Sequence, residues 1–139
     1  QVGSQTILAS YVGLAGHVQI HDWVIIGGQS GVHQFCRVGP HAMLGSNSVV
    51  NQDIPPYMLV DGNPGKPRSF NIEGLRRRGF SADRIAAIKA MHKYLYRDGM
   101  ALEQARTAMV ELLKVHPEAD ADIHTMLDFL AHSKRGIVR

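Results

Sequence analysis

The sequence predicts two architectures in tandem: a triangular solenoid of short parallel β-strands over residues 1–56 and a small α-helical domain over residues 71–139, joined by a connecting loop at 57–70. Three observations carry this reading. An aliphatic residue recurs every sixth position, at Val2, Leu8, Leu14, Ile20, Ile26, Val32, Val38, Leu44 and Val50. From Ile72 that period gives way to the three- and four-residue spacing of amphipathic helices. Charge divides in the same region: residues 1–64 hold one basic residue, Arg37, against three acids, a net −2, whereas residues 65–139 hold fourteen basic residues and nine acids, a net +5.

A period of six fits neither a helix at 3.6 nor a strand at 2. It fits a coil of three short strands joined by tight corners, in which one aliphatic slot per hexapeptide faces inward and eighteen residues close one turn. Two further slots agree. The fifth holds only small or β-branched residues, from Thr6 and Val12 to Ser48 and Ile54. The second is small in six of nine repeats, at Gly3, Ala9, Ala15, Gly27, Gly39 and Gly45. Nine repeats make three coils. Pro55 and Pro56 remove ladder donors and end the strands, and Gly62-Asn63-Pro64-Gly65-Lys66-Pro67 turns the chain away.

In the second half, Ser81 is a good N-cap, Ile85, Ile88, Met91 and Leu95 form one apolar stripe, and Gly99 is a stop. A second helix is expected from about Ala101 to Val115, burying Leu102, Met109, Leu112 and Leu113 and ending at His116-Pro117. A third follows from about Glu118 to Ser133 through Ile123, Met126, Leu127 and Leu130, and the basic tail Lys134-Arg135-Gly136 is expected to fray.

Composition narrows the function classes. The 139 residues contain no apolar run of membrane-spanning length. A single cysteine, Cys36, and the lack of a basic-then-apolar leader make the cytoplasm the expected compartment. Cys36 falls in the small inward slot, which suits a buried inert thiol. The run Arg76-Arg77-Arg78 suits forked, charge-assisted bonds to phosphate. Without interleaved aromatics it does not suit nucleic acid. Gly16 leaves a backbone N–H that a ligand can approach. His17 and His33, sixteen residues apart, are expected near each other on adjacent coils. A zinc site would need a third converging ligand, and none has suitable spacing. His41, His92, His116, His124 and His132 have no partner spacing and are expected to be surface or core residues.

The hexapeptide pattern resembles the hexapeptide-repeat acyltransferases. The words LAGHV, IIGG, VHQFC, DIPPY, NIEGLRRRGF and the closing S-KRGIVR narrow the resemblance to the bacterial UDP-N-acetylglucosamine acyltransferases of lipid A synthesis, over essentially the whole chain. That resemblance implies a left-handed parallel β-helix, an exception to the usual right-handed crossover, with a helical C-terminal domain and a homotrimeric assembly. It also implies an O-acyltransferase, without metal or cofactor, that moves a 3-hydroxyacyl group from acyl carrier protein to the 3-hydroxyl of UDP-N-acetylglucosamine. By the same resemblance the Gly16 N–H stabilises the thioester oxyanion, and His17, His33 and Gln34 contact the sugar nucleotide or the pantetheine arm. Asn71, Glu73, Arg77 and Arg78 bind sugar, diphosphate and uridine, and Ser46 stands at the acyl-chain ruler.

The family's general base, a histidine followed by aspartate, is expected upstream of Gln1. His21-Asp22 copies the dipeptide in different repeat slots and is expected to be a decoy. The chain, which begins without methionine, is accordingly expected to be the C-terminal part of a longer prism and nearly inactive alone. The alternative is a non-catalytic trimeric module that binds sugar nucleotide.

Overall fold

A computed structural model describes residues 1–139. Eight two-residue strands follow in chain order: β1 (Ile7–Leu8), β2 (Gly13–Leu14), β3 (Gln19–Ile20), β4 (Ile25–Ile26), β5 (Gly31–Val32), β6 (Arg37–Val38), β7 (Met43–Leu44) and β8 (Val49–Val50). All pair in parallel with the strand one coil on, as Ile7 with Ile25 and Ile25 with Met43, building the three faces β1-β4-β7, β2-β5-β8 and β3-β6. The result is a left-handed parallel β-helix of about three turns.

Inside it, Ile20, Ile26, Val32, Val38, Leu44 and Val50 are buried together with the fifth-slot residues Val24, Cys36, Ala42 and Ile54. Each large aliphatic side chain so buried contributes roughly 1.5–3 kcal/mol. Val2 and Leu8 remain 47% and 39% exposed, so the first coil is open at its outer end. Two buried fifth-slot hydroxyls are satisfied. Ser30 Oγ donates to the Gly45 carbonyl at 2.8 Å and accepts from Ser48 N–H at 3.2 Å, and Ser48 Oγ accepts from Gly62 N–H at 2.9 Å. Every corner turns through a left-handed residue that is not glycine. Gln5, Tyr11, His17, Trp23, Gln29, Phe35, His41 and Asn47 all have φ between 57° and 66°.

The stretch expected as a connecting loop is instead a β-hairpin. Strand β9 (Met58–Gly62) continues the first face parallel to β7, and β10 (Gly65–Phe70) returns antiparallel to β9. Pro67, part of the segment expected to turn the chain away, sits where the register shifts between Pro67 and Ser69. A bulge is where a strand tolerates proline.

Helix α1 (Ile72–Arg77) starts on Asn71, whose Oδ1 accepts from Gly74 N–H. Helix α2 (Ala82–Tyr96) starts on Ser81, whose Oγ accepts from Arg84 N–H at 3.2 Å. Helix α3 (Leu102–Val115) follows. The last segment begins as a 3-10 turn at Pro117–Ala119 before α4 (Asp120–Ala131). Their shared core is Leu75, Ile88, Met91, Met109, Ile123 and Met126, all fully buried. A polar clasp joins this bundle to the solenoid. Arg84 donates to both oxygens of buried Asp122 at 2.8 and 2.9 Å, Tyr57 O–H donates to the same carboxylate at 3.3 Å, and the guanidinium lies 3.7 Å over the Phe80 ring. Breaking such a buried pair would leave a charge uncompensated.

The tail does not fray. Asp53 N–H donates to the Gly136 carbonyl and Val138 N–H donates to the Asp53 carbonyl, both at 2.9 Å. Ile137 and Val138 are buried, and Asp53 Oδ2 accepts from Ser133 Oγ at 2.6 Å. Basic residues on an exposed strand read as solvated in sequence; the backbone pairing holds them. No helix is long and apolar enough to cross a membrane.

Candidate active site

The corners of the solenoid hold the residues with chemistry. At the corner between the β2 and β3 faces, Gly16 is exposed, a Cβ there would meet nothing within 4 Å, and its N–H has no acceptor in the chain. Its carbonyl accepts from Phe35 N–H at 3.0 Å, which locks the peptide plane on the coil above. His17 stacks on Phe35 with ring centroids 4.9 Å apart and planes within 1°. His33 and Gln34 lie on the same corner and are exposed. The residue directly above His17 is therefore Phe35, eighteen positions on, and not His33; His33 stands above Ala15. This corner presents an approachable N–H beside a flat aromatic stack.

At the corner between the β3 and β4 faces, His41 is the centre. It stacks between Trp23 and Tyr57, at 6.0 and 5.8 Å, and meets the edge of Phe80 at 5.0 Å. Arg78 Nη1 donates to His41 Nδ1 at 3.0 Å and lies 5.1 Å over the Trp23 ring. Burial, assisted by the Arg78 charge, pushes the His41 pKa down to about 4, so the ring is a neutral acceptor. The sequence had left His41 without a partner. The signal it did carry was the eighteen-residue spacing from Trp23.

Asn71 is buried and donates through Nδ2 to the His41 carbonyl at 3.1 Å while capping α1. Its side chain is thus committed to the fold on both sides. Glu73 is exposed and reaches Arg76 at 3.9 Å. Arg77 is exposed and has no hydrogen bond or ion pair within the chain, and it stands one residue from the anchored Arg78. The third corner, between the β1 and β2 faces, carries Ser46. It is exposed and lies over Gly27.

The structure therefore brings Gly16, His17, His33 and Gln34 together, and Asn71, Glu73, Arg77 and Arg78 together. It separates those two groups and Ser46 onto three corners. His21 belongs to the His41 corner, not to that of Gly16. It is half-buried edge-on to Phe129 at 6.0 Å, its Nε2 has no partner, and burial lowers its pKa. Cys36 is fully buried and burial raises its pKa, as an inert thiol requires. His116 Nδ1 pairs with Asp83 at 2.8 Å, a bundle contact that sequence spacing had not indicated. Nowhere do three His, Cys, Asp or Glu side chains converge as metal ligands.

Residues 53–138 match the family model described as UDP N-acetylglucosamine O-acyltransferase, domain 2. The chain belongs to the UDP-N-acetylglucosamine O-acyltransferase family. An acyl-[acyl-carrier-protein]–UDP-N-acetylglucosamine O-acyltransferase from Verminephrobacter eiseniae is 58% identical over 138 residues, 99% of this chain and 53% of its own length. One from Burkholderia mallei is 48% identical over 139 residues, again 53% of its length. The crystal structure of the UDP-N-acetylglucosamine O-acyltransferase from Moraxella catarrhalis superposes with a TM-score of 0.91 at 40% identity, covering 99% of this chain and 52% of that one. The Arabidopsis UDP-N-acetylglucosamine acyltransferase gives 0.87 at 33% identity. The chain spans about half the length of the curated relatives it matches.

Within this O-acyltransferase family the matched region runs from Asp53 to Val138, the two residues whose backbones join to close the tail onto the solenoid. The free Gly16 N–H and the His17–Phe35 stack precede it, in the hexapeptide coils.

Proposed function

We propose that this chain carries the oxyanion, acyl-donor and nucleotide elements of an enzyme that moves a 3-hydroxyacyl group from acyl carrier protein to the 3-hydroxyl of UDP-N-acetylglucosamine. The observation that carries the reading is the unpartnered N–H of exposed Gly16 beside the His17–Phe35 stack. In the reaction the sugar hydroxyl oxygen attacks the thioester carbonyl carbon, and negative charge develops on the carbonyl oxygen. The Gly16 N–H donates to that oxygen, an interaction whose loss typically costs about 10² to 10³ in rate. Collapse breaks the C–S bond, and the thiolate leaves on the carrier. The hydroxyl proton must pass to a base, and with His17 and His33 assigned to substrate contacts none remains beside Gly16: His21 lies at another corner, half-buried against Phe129.

Exposed Arg77, with Arg78 held by His41 and Trp23 beside it, suits the diphosphate, and His33, Gln34 and Glu73 complete the sugar, uridine and pantetheine contacts, while Asn71, engaged by His41 and α1, holds that corner in place. Ser46 limits the acyl groove. The assembly proposed is a homotrimer, which would set different corners of neighbouring copies against one another. The outward apolar row Ile7, Ile25, Met43 and Leu59 on the first face suits such an assembly: Ile7 is 58% exposed and the other three are partly exposed. Acyl carrier protein, as an acidic partner, suits the cations Lys89, Lys93 and Arg97 that α2 and its cap raise along a groove floored by Phe70, with Asp98 the one acid in its lining. The cytoplasm is the compartment in which these substrates meet.

Calorimetry with UDP-N-acetylglucosamine tests the nucleotide half: Arg77→Ala is expected to weaken binding at least tenfold, and unchanged affinity overturns the arginine assignment. A mass-shift acyl-transfer assay tests the missing proton acceptor. Residues 1–139 are expected to turn over at least 100-fold below an intact relative, and equal turnover would show that the chain holds its own base.

A further inference from the structure

A groove of about 830 Å³ runs between the Gly16 corner and the C-terminal end of α4, with His17 and Phe35 on one wall and Lys134 and Arg135 on the other. Its volume falls in the range of small-ligand sites. Arg37 reaches it from β6, where its Nη1 donates to the Phe129 carbonyl at 3.2 Å and its guanidinium lies 4.3 Å over the Phe129 ring. The single acid in the lining, Asp53, is 1% exposed and has both oxygens engaged, by Arg37 N–H at 2.8 Å and by Ser133 Oγ at 2.6 Å. Lys134 has no hydrogen bond or ion pair, and Arg135 uses only Nε, donating to the Asn51 carbonyl at 3.2 Å. Their backbone is fixed by the pairing of Asp53 with Gly136 and Val138, so the cations are held at the groove and need not be ordered by a ligand.

We propose that this groove is a phosphate subsite for the acyl donor, holding the phosphodiester at the root of the carrier's pantetheine arm while the thioester lies at Gly16. The assignment rests on the acyltransferase reading for the identity of the donor. It adds Lys134, Arg135 and Arg37 as donor-binding residues. The cations meet an oxyanion with charge-assisted bonds, and the exposed Phe35 face gives the methylene and gem-dimethyl groups of the arm a surface to cross towards Gly16. The sugar nucleotide also carries phosphate, so the two sources must be separated by experiment.

The test is calorimetry of the 139-residue chain and of Lys134→Gln with 4′-phosphopantetheine, pantetheine, inorganic phosphate and UDP-N-acetylglucosamine. Phosphopantetheine is expected to bind at least tenfold tighter than pantetheine and to be displaced by inorganic phosphate. Lys134→Gln is expected to weaken phosphopantetheine at least fivefold while leaving pantetheine and UDP-N-acetylglucosamine unchanged. Because Lys134 has no partner within the chain, this variant should fold normally; Lys134→Glu, expected to abolish the phosphate preference, is the second variant. Equal affinities for the phosphorylated and dephosphorylated arm overturn the subsite, as does a Lys134→Gln effect confined to the sugar nucleotide. Phosphate discrimination by a chain that fails to bind UDP-N-acetylglucosamine would uphold the subsite and remove the sugar-nucleotide acceptor.

Discussion

His41 shows how a residue without sequence signal becomes the pivot of a corner. Three rings and one guanidinium enclose it, and these groups come from the preceding coil, the β9 entrance and the segment after α1. Its folded pKa of about 4 lies below its ordinary value of 6.5. Between those values the unfolded chain binds a proton that the folded chain refuses. Stability therefore falls as pH drops from about 6.5 towards 4 and is unaffected by this group above pH 7. The half-buried ring limits the loss to on the order of 1–2 kcal/mol. His21 and His92 shift in the same direction through burial, so the His41 share is isolated by difference. Urea midpoints of the native chain and His41→Phe, measured at pH 7.5 and 4.5, should show the smaller pH loss in the variant. Equal losses would place the proton elsewhere.

At the scale of elements, the inward slots were legible because a solenoid repeats the same steric demand every six residues. The helices were legible through Ser81 and the Ile85-Ile88-Met91-Leu95 stripe. The hairpin was not, since Pro64 and Pro67 read as a turn, whereas β10 is an edge strand with a bulge between Pro67 and Ser69, where proline is tolerated. Nor was the tail docking, which depends on Asp53, about eighty residues away in sequence. The glycines of the solenoid divide by what faces them. A Cβ on Gly27 would lie 2.5 Å from the backbone nitrogen of Ser46, whereas one on Gly31, an outward strand position, meets nothing within 4 Å. Gly27→Ala should cost about 1–3 kcal/mol by overpacking, and Gly31→Ala should stay within about 0.5 kcal/mol. Denaturant unfolding of the two variants checks this directly, and equal costs would contradict the close packing of the Ser46 corner.

For the whole molecule, the words LAGHV and NIEGLRRRGF named both halves of the proposed site, yet the sequence could not say that one chain keeps them at separate corners. Linear words carry residue identity, and the corner on which a word lands depends on its position modulo eighteen. If copies of the chain join through the uncovered first face, Ile7 is buried only on association. Ile7→Glu should then leave the far-ultraviolet circular dichroism unchanged and reduce the sedimentation coefficient to that of a 15.3 kDa monomer. An unaltered assembly would move the interface to another face.

The left-handed corner residues also bear on how such a chain can change. Eight consecutive repeats accept glutamine, tyrosine, histidine, tryptophan, phenylalanine and asparagine at one backbone geometry, although residues other than glycine enter that region at some energetic cost. The scaffold carries that cost at every corner, whatever side chain is displayed. Substitution there exchanges one corner side chain for another while the inward slots stay filled. Binding preferences can therefore drift along the three columns one residue at a time, without the core being redesigned.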